Sequence, residues 1–530
     1  MKLENFNNLI ELFFYQAEKQ DPKSILLQWL NPNNKKSFTW EETKLNIFKL
    51  SKTIKENVKE GDRCLLVSEN RPEWFISDLA IMLSGAITVP AYTTYTDNDY
   101  KYLIEDCEPK IVIASNNDIL KKLNTTINEK NFIKKIITFD EVEKAYHNLN
   151  IDNKEKYLDF NSIIKNDLSE KDKIQNINLK RSSAACIIYT SGTGGNPKGV
   201  ILSHGGILNN LEGACEIIKP LIDSRPVFLT WLPLSHSYEH TVQFAQIAVG
   251  AKVFYAEKIE KLLDNMAEAK PTIMTAVPRF YQNLYNKINI NMKKQTGFKA
   301  KLIQATIRLG KKKLLKEKMT FFEKLLNLML NVLVRKKVRK QFGGKLRAFV
   351  SGGGALDKEI GEFLNSIGLP TLQGYGLTET SPVVSCNPIH NIKVETVGPP
   401  FKGNKIKISE DGEILVKGEN VMLGYWNQKE ETENVIKDGW LHTGDIGEIN
   451  PEDGYLKITD RKKDIIVSAG GDNISPAKIE NIITNEAEID QCMVYGDKKN
   501  YIVALIVPNK EFLKEKEKRK YNKYNPSKLT

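Results

Sequence analysis

The stretch YTSGTGGNPKGV, Tyr189 to Val200, concentrates phosphate-binding chemistry. Between Thr190 and Gly199 it holds two threonines, a serine, four glycines, a proline and a lysine. Glycines let the backbone approach a ligand and turn its N–H groups inward, hydroxyls donate hydrogen bonds, and a lysine supplies a point charge. A polar surface hairpin between the apolar runs AACII and VIL accounts for the glycines. It does not account for three hydroxyls together with Lys198. The Walker pattern is excluded, because counting from Gly192 puts Pro197 at the second glycine and Gly199 where Ser or Thr belongs. SGGGALD, Ser351 to Asp357, fails the dinucleotide pattern because Asp357 stands at its last glycine.

Four further motifs carry chemistry. LPLSHSYEH sets His236 and Tyr238 after a strand-like run. LQGYGLTETSP joins a flat aromatic, Tyr375, to Thr378 and Glu379. WLHTGDIG presents Asp445 in a glycine-flanked turn, and DRKKDIIVSAGGDNISPAKIE offers Arg461 and the pair Gly470–Gly471. Taken singly, each has a structural explanation, with the carboxylates as caps, Tyr375 as core and His236 as a satisfied buried imidazole.

The elements that must position these residues follow from patterning. From about 60 to 290, short apolar runs such as RCLLVSEN, GAITVPAY, KIVIAS, AACIIYT and AKVFYA alternate with helical stretches, the mark of doubly wound α/β subdomains. RAFVSGGGALD resumes that pattern, and from about Val397 frequent turn signals predict antiparallel strands. The expected organisation is an N-terminal domain over 1–458, with a β-rich part at about 397–458, and a small, incomplete α+β domain over 459–530. The chain of 530 residues is 41% hydrophobic and 27% charged, a globular composition. Trp74 to Val89 is broken by Ser77, Asp78, Ser84 and Gly85 and reads as a buried helix and strand, not a membrane span. The six cysteines are scattered without metal-ligand spacing, and the N-terminus has no signal-peptide pattern, which together argue for a cytoplasmic setting.

The net charge of +11 is localised. Residues 291–347 hold eighteen lysines and arginines against Glu317 and Glu323, leaving the rest of the chain mildly acidic. That distribution excludes a general affinity for nucleic acid. An apolar run, Phe321 to Val334, sits between KKK at 311–313 and RKKVRK at 335–340. One reading is a peripheral anchor to an anionic membrane surface on the inner face. The other is a helical insertion that packs its apolar face on the body. Oligomeric state is not legible.

The order and separation of these motifs resemble the adenylate-forming superfamily of AMP-binding enzymes, and most of all bacterial long-chain fatty acid–CoA ligases. The resemblance runs from about Phe6 to Pro508 and rests also on ENRPEWFISDLAIMLSGAITVPAYTTYT and ENVMLGYWNQKEETENVIKDGWLHTGDIG. It implies a two-step reaction, in which ATP and a fatty acid form an acyl-adenylate and CoA then displaces AMP. By position, Thr190, Ser191, Gly192, Thr193, Gly194 and Lys198 would hold phosphates. Gly353, Gly354, Ala355, Gly374 and Tyr375 would surround adenine. Thr378 would touch the α-phosphate, Glu379 with Thr193 would bind Mg2+, and Asp445 and Arg461 would grip the ribose. His236 would adjoin the reacting carboxylate, Lys463 would mark the hinge of the small domain, and Gly470 and Gly471 would let CoA pass.

Two departures from the family pattern stand out. Gly194 replaces a threonine usual in the loop, which removes one hydroxyl and keeps the backbone donors. The family's late lysine, which bridges the carboxylate and α-phosphate, has no matched position. The sequence therefore also admits a C-terminally truncated, adenylation-impaired protein that binds ATP or acyl-adenylate, or a fragment of an intact enzyme.

Overall fold

The computed structural model describes residues 2–33, 35–141, 153–173, 178–190, 196–222, 225–462, 464–467, 473–484, 486, 488–497, 499, 501–510 and 513. Two eight-stranded sheets carry the body. The first runs Val383–Cys386, Thr371–Gly376, Ala348–Ser351, Ile273–Ala276, Val227–Thr230, Lys252–Tyr255, Ile25–Trp29 and Ser37–Thr39, parallel except at its two edges. The second runs Gly424–Tyr425, Lys198–Ser203, Ala184–Thr190, Ile87–Ala91, Arg63–Val67, Ile111–Ala114, Lys135–Thr138 and Tyr157–Asp159. Its inner strands are parallel and buried throughout, which is why they read as unbroken apolar runs and not as alternation.

Helices Pro72–Leu83 and Ser237–Ala248 are buried on almost every side, polar residues included. One continuous core cluster takes side chains from these helices and from both sheets, among them Trp74, Phe244, Cys186 and Phe228. A helix buried all round must match its polar groups internally. Here Asp78 Oδ2 meets His240 Nε2 at 2.8 Å, with both side chains sealed from solvent. Burial alone would push the His240 imidazole down, and the Asp78 carboxylate instead holds it above the ordinary histidine range.

The phosphate-loop motif lies on the hairpin between Ala184–Thr190 and Lys198–Ser203, an antiparallel pair with Thr190 opposite Lys198. The hairpin reading and the motif therefore fall on the same stretch of chain. A five-stranded antiparallel sheet follows, including Lys405–Ile408, Glu413–Lys417, Trp440–Ile449 and Leu456–Arg461. Beyond it come the strand pairs Ile466–Val467 with Asn473–Ile474 and Ile489–Tyr495 with Val503–Pro508, and the helix Pro476–Thr484.

The basic insertion folds as helices Gly297–Leu314 and Phe321–Leu330, a π-helical turn Asn331–Arg335, and helix Lys336–Gln341. Its apolar stripe does not pack on the body. Phe321, Phe322, Leu325, Leu328, Met329, Val332 and Leu333 are all exposed, so of the two readings of this run the inward-packed one does not describe these seven residues. What anchors the insertion is a separate inward face, with Leu309 and Leu330 fully buried and Ile307 and Val338 packed on the core, joined by polar contacts. Arg335 donates to the carbonyls of Thr306, Asn327 and Ser366, and Glu323 accepts from Arg308 and Lys312. Among the described residues no helix is long and apolar enough to cross a membrane.

Removing one member of a buried ion pair strands the other, at a cost of about 3–5 kcal/mol. Asp78→Ala is expected to lose that much stability in urea unfolding, and Asp78→Ala with His240→Phe to recover a large part of it.

Candidate functional site

A cavity of about 590 Å³ opens where the first sheet meets the β-rich sheet. It brings together His236, Gly353, Gly354, Ala355, Gly374, Tyr375, Thr378, Asp445 and Arg461, nine positions singled out in the sequence. Chain geometry explains the gathering. Strand Thr371–Gly376 delivers Tyr375 and Thr378 at its C-terminal end, the usual place for ligands on an open α/β sheet. Antiparallel register sets Asp445 directly across from Arg461.

At one end the cavity is polar. Tyr375 donates its hydroxyl to Asp445 Oδ2 at 2.7 Å, and Arg461 Nε donates to Oδ1 at 3.2 Å. Burial raises the Asp445 carboxyl, and Tyr375 and Arg461 only partly offset that rise. Glu413 shapes the turn before Asp445 by accepting from the Gly444 N–H at 2.8 Å and from Lys462 at 3.1 Å. Gly376 is obligatory, since a Cβ there would lie 1.8 Å from the Pro382 carbonyl oxygen.

In the middle, His236 caps helix Ser237–Ala248, its Nδ1 accepting from the Tyr238 N–H at 3.1 Å. Burial holds its imidazole below the ordinary histidine range. A neutral ring that accepts at Nδ1 carries its proton on Nε2. Ser237 and Thr378 share a hydrogen bond of 3.1 Å, which ties that helix to the strand end. The far end is apolar and includes Ala214, Ile217, Phe228, Ile273 and Phe401. Gly213 makes this end possible, because a Cβ on it would sit 2.1 Å from the Phe401 ring.

Thr190, Lys198 and Glu379 do not line this cavity; they belong to the adjoining hairpin side. There Tyr425, which the sequence reading did not single out, donates its hydroxyl to Glu379 Oε1 at 2.9 Å. Lys198 lies 5.2 Å from the centre of the same ring and pairs with Glu431. Strand Gly424–Tyr425 is carried there by pairing with Lys198–Ser203. Gly199 permits the approach, as a Cβ on it would meet Ile187 at 2.9 Å and Trp426 at 3.1 Å. The only local signal for Tyr425 is the aromatic pair in LGYW, and Glu431 has none beyond its charge. Ser191, Gly192, Thr193, Gly194, Lys463, Gly470 and Gly471 lie outside the described residues, as does most of the charged C-terminal tail.

Among the described residues no three His, Cys, Asp or Glu side chains gather as a metal cage. Glu379 offers a single carboxylate beside Lys198 and Tyr425. That fits a Mg2+ ion that takes its other oxygens from a bound polyphosphate and water, the arrangement this cation favours.

The fold is that of adenylate-forming enzymes. It matches ATP-bound MatB from Rhodopseudomonas palustris with a TM-score of 0.72 at 22% identity, covering 95% of this chain and 89% of that one. It matches the Mycobacterium tuberculosis fatty acyl CoA synthetase with a TM-score of 0.67 at 19% identity, over the same shares of the two chains. The AMP-binding enzyme family model matches residues 13–426. The chain is 32% identical over 515 residues to long-chain-fatty-acid–CoA ligase FadD15 of M. tuberculosis, covering 94% of this chain and 81% of that protein. It is also 32% identical over 500 residues to long chain acyl-CoA synthetase 3 of Arabidopsis thaliana, covering 89% and 73%. The chain belongs to the AMP-binding enzyme family, among its acyl-CoA ligases. The model of the AMP-binding enzyme C-terminal domain matches residues 463–527, so that domain is represented here. The impaired-binder alternative gains no support from these likenesses.

Two substitutions probe the two clusters. Asp445→Asn removes a charged acceptor and is expected to weaken ATP binding by about 1.5–3 kcal/mol in isothermal titration. Glu431→Gln frees Lys198 from a half-exposed ion pair worth only about 0.2–1 kcal/mol, so ATP affinity is expected to rise, by no more than about fivefold.

Proposed function

We propose that this protein activates a long-chain fatty acid with ATP and transfers the acyl group to CoA. The observation that carries this reading is one cavity that joins a polar clamp, Tyr375, Asp445 and Arg461, to an apolar compartment lined by Ala214, Ile217, Phe228, Ile273 and Phe401. The carboxylate to be activated belongs at the junction of the two, beside His236 and Thr378. In the first step a carboxylate oxygen attacks the α-phosphorus of ATP and the bond to the bridging oxygen breaks, releasing pyrophosphate. In the second the CoA sulfur, having lost its proton, attacks the acyl carbon and AMP leaves.

Displacement at phosphorus asks a protein for positioning and charge neutralisation, not for a nucleophile of its own. The side chains suit that demand. Asp445 and Arg461 orient the ribose, and Tyr375 offers a ring face to adenine while its hydroxyl steadies Asp445. Thr378 donates toward the α-phosphate, and the neutral His236 contributes an Nε2–H next to the developing negative charge. Thr190, Lys198 and the loop that includes Ser191, Gly192, Thr193 and Gly194 engage the outer phosphates. Mg2+ held by Glu379 supplies neutralising charge there. Lys463, as hinge, and Gly470 and Gly471, as the CoA passage, complete the reading. The names of the relatives support the long-chain acid, and so does the apolar lining of the far compartment.

Palmitate-dependent exchange of pyrophosphate into ATP tests the first step, and thioester formation with CoA tests the second. Exchange with palmitate should exceed that with acetate, butyrate or octanoate; a preference for the short acids would overturn the reading. Filling the apolar end by Ala214→Phe should lower kcat/KM for palmitate about tenfold or more while sparing octanoate, since each lost methylene contact is worth about 1–3 kcal/mol.

A further inference from the structure

The basic insertion presents an amphipathic helix turned inside out. Its exposed apolar residues fall at 321, 322, 325, 328, 329, 332 and 333, the spacing of one helical face. Phe321 is 76% exposed, Phe322 78% and Leu328 65%, whereas Leu330, on the opposite face, is fully buried. A soluble helix ordinarily turns such a stripe toward its core. Here the inward face is held by buried Leu309 and Leu330 together with the hydrogen bonds of Arg335 and Glu323, and the apolar stripe is left exposed.

Beside the stripe lies a second cavity, of about 500 Å³, and Leu328 belongs to both. Its charged and ionisable lining is entirely basic: Lys313, Lys316, Lys324, Arg335, Arg339 and His390. Arg335 is committed to three backbone carbonyls, Lys316 donates to Asn391, and Arg339 donates to Asn331. Lys313 and Lys324 make no ion pair among the described residues, and neither do Lys336, Lys337 and Lys340 on the next turns. Apolar side chains exposed along one line, with lysines on either side and a cationic recess opening next to them, complement one partner. That partner is a surface whose interior is apolar and whose rim carries phosphate.

We propose that the face formed by Phe321–Leu330 and the turn after it docks on an anionic lipid bilayer. Its phenylalanines and leucines enter the acyl boundary, and the Lys313–Lys324 recess receives a lipid phosphate headgroup. The helix is too short and too basic in its flanks to cross the bilayer, so it lies in the interface plane. This attachment is separate from the chemistry of the other cavity and stands whether or not the acyl-activation reading holds.

Sedimentation of the full chain with vesicles tests it. Binding is expected to vesicles containing phosphatidylglycerol and not to pure phosphatidylcholine, and to weaken steeply as salt is raised. The combined substitution Phe321→Ser, Phe322→Ser, Leu328→Ser should reduce binding by about tenfold or more, because it removes the buried apolar area. Lys313→Glu with Lys324→Glu should reduce it as well, while the ATP affinity of both variants stays at the parent value and reports an intact fold. Equal binding by the parent and both variants would overturn the proposal. So would a dimer in ultracentrifugation that the serine variant dissolves, which would make a second copy of the chain the occupant. Full displacement by millimolar inorganic phosphate would also overturn it, leaving only an anion site.

Discussion

Everything at the polar end of the large cavity depends on one carboxylate. Asp445 has both oxygens engaged, one by Tyr375 from the first sheet and one by Arg461 from the strand that leads toward the C-terminal domain. Three parts of the chain therefore meet at a single, nearly buried point. Burial penalises that charge, and the phenol and guanidinium offset the penalty only in part. A carboxylate left in that condition would gain from further hydroxyl donors.

The second cluster uses a different economy. Lys198 and Glu379 are joined through Tyr425, whose hydroxyl bonds the acid while its ring faces the base. Tyr425 thus touches both groups, and Glu431 pairs with the lysine from the other side. Strand Thr371–Gly376 serves both clusters, with Tyr375 near its C-terminal end and Glu379 just beyond it, the usual place for ligands on an open α/β sheet.

Much of this was legible in the sequence, for identifiable reasons. Tyr375, Thr378, Asp445 and Arg461 stand in short motifs where a turn residue and a functional residue are close neighbours, so local spacing betrays them. Strand runs such as RCLLV announce burial by lacking alternation. Tyr425 and Glu431 were not legible, since Glu431 reaches Lys198 across 233 residues and only strand pairing brings them together. The direction of the apolar stripe was equally hidden. Periodicity reveals that a helix has two faces and says nothing about which one the fold covers. That choice is made by Arg335, whose three carbonyl partners lie on other turns and another helix.

The hairpin register has one further meaning. Thr190 and Lys198 are opposite residues of an antiparallel ladder, so their separation is fixed by the sheet and not by the residues between them. The composition of the connecting loop can drift over evolutionary time, as glycine at 194 attests, without moving either anchor. What the connecting residues are is in that sense decoupled from the scaffold that holds the two anchors.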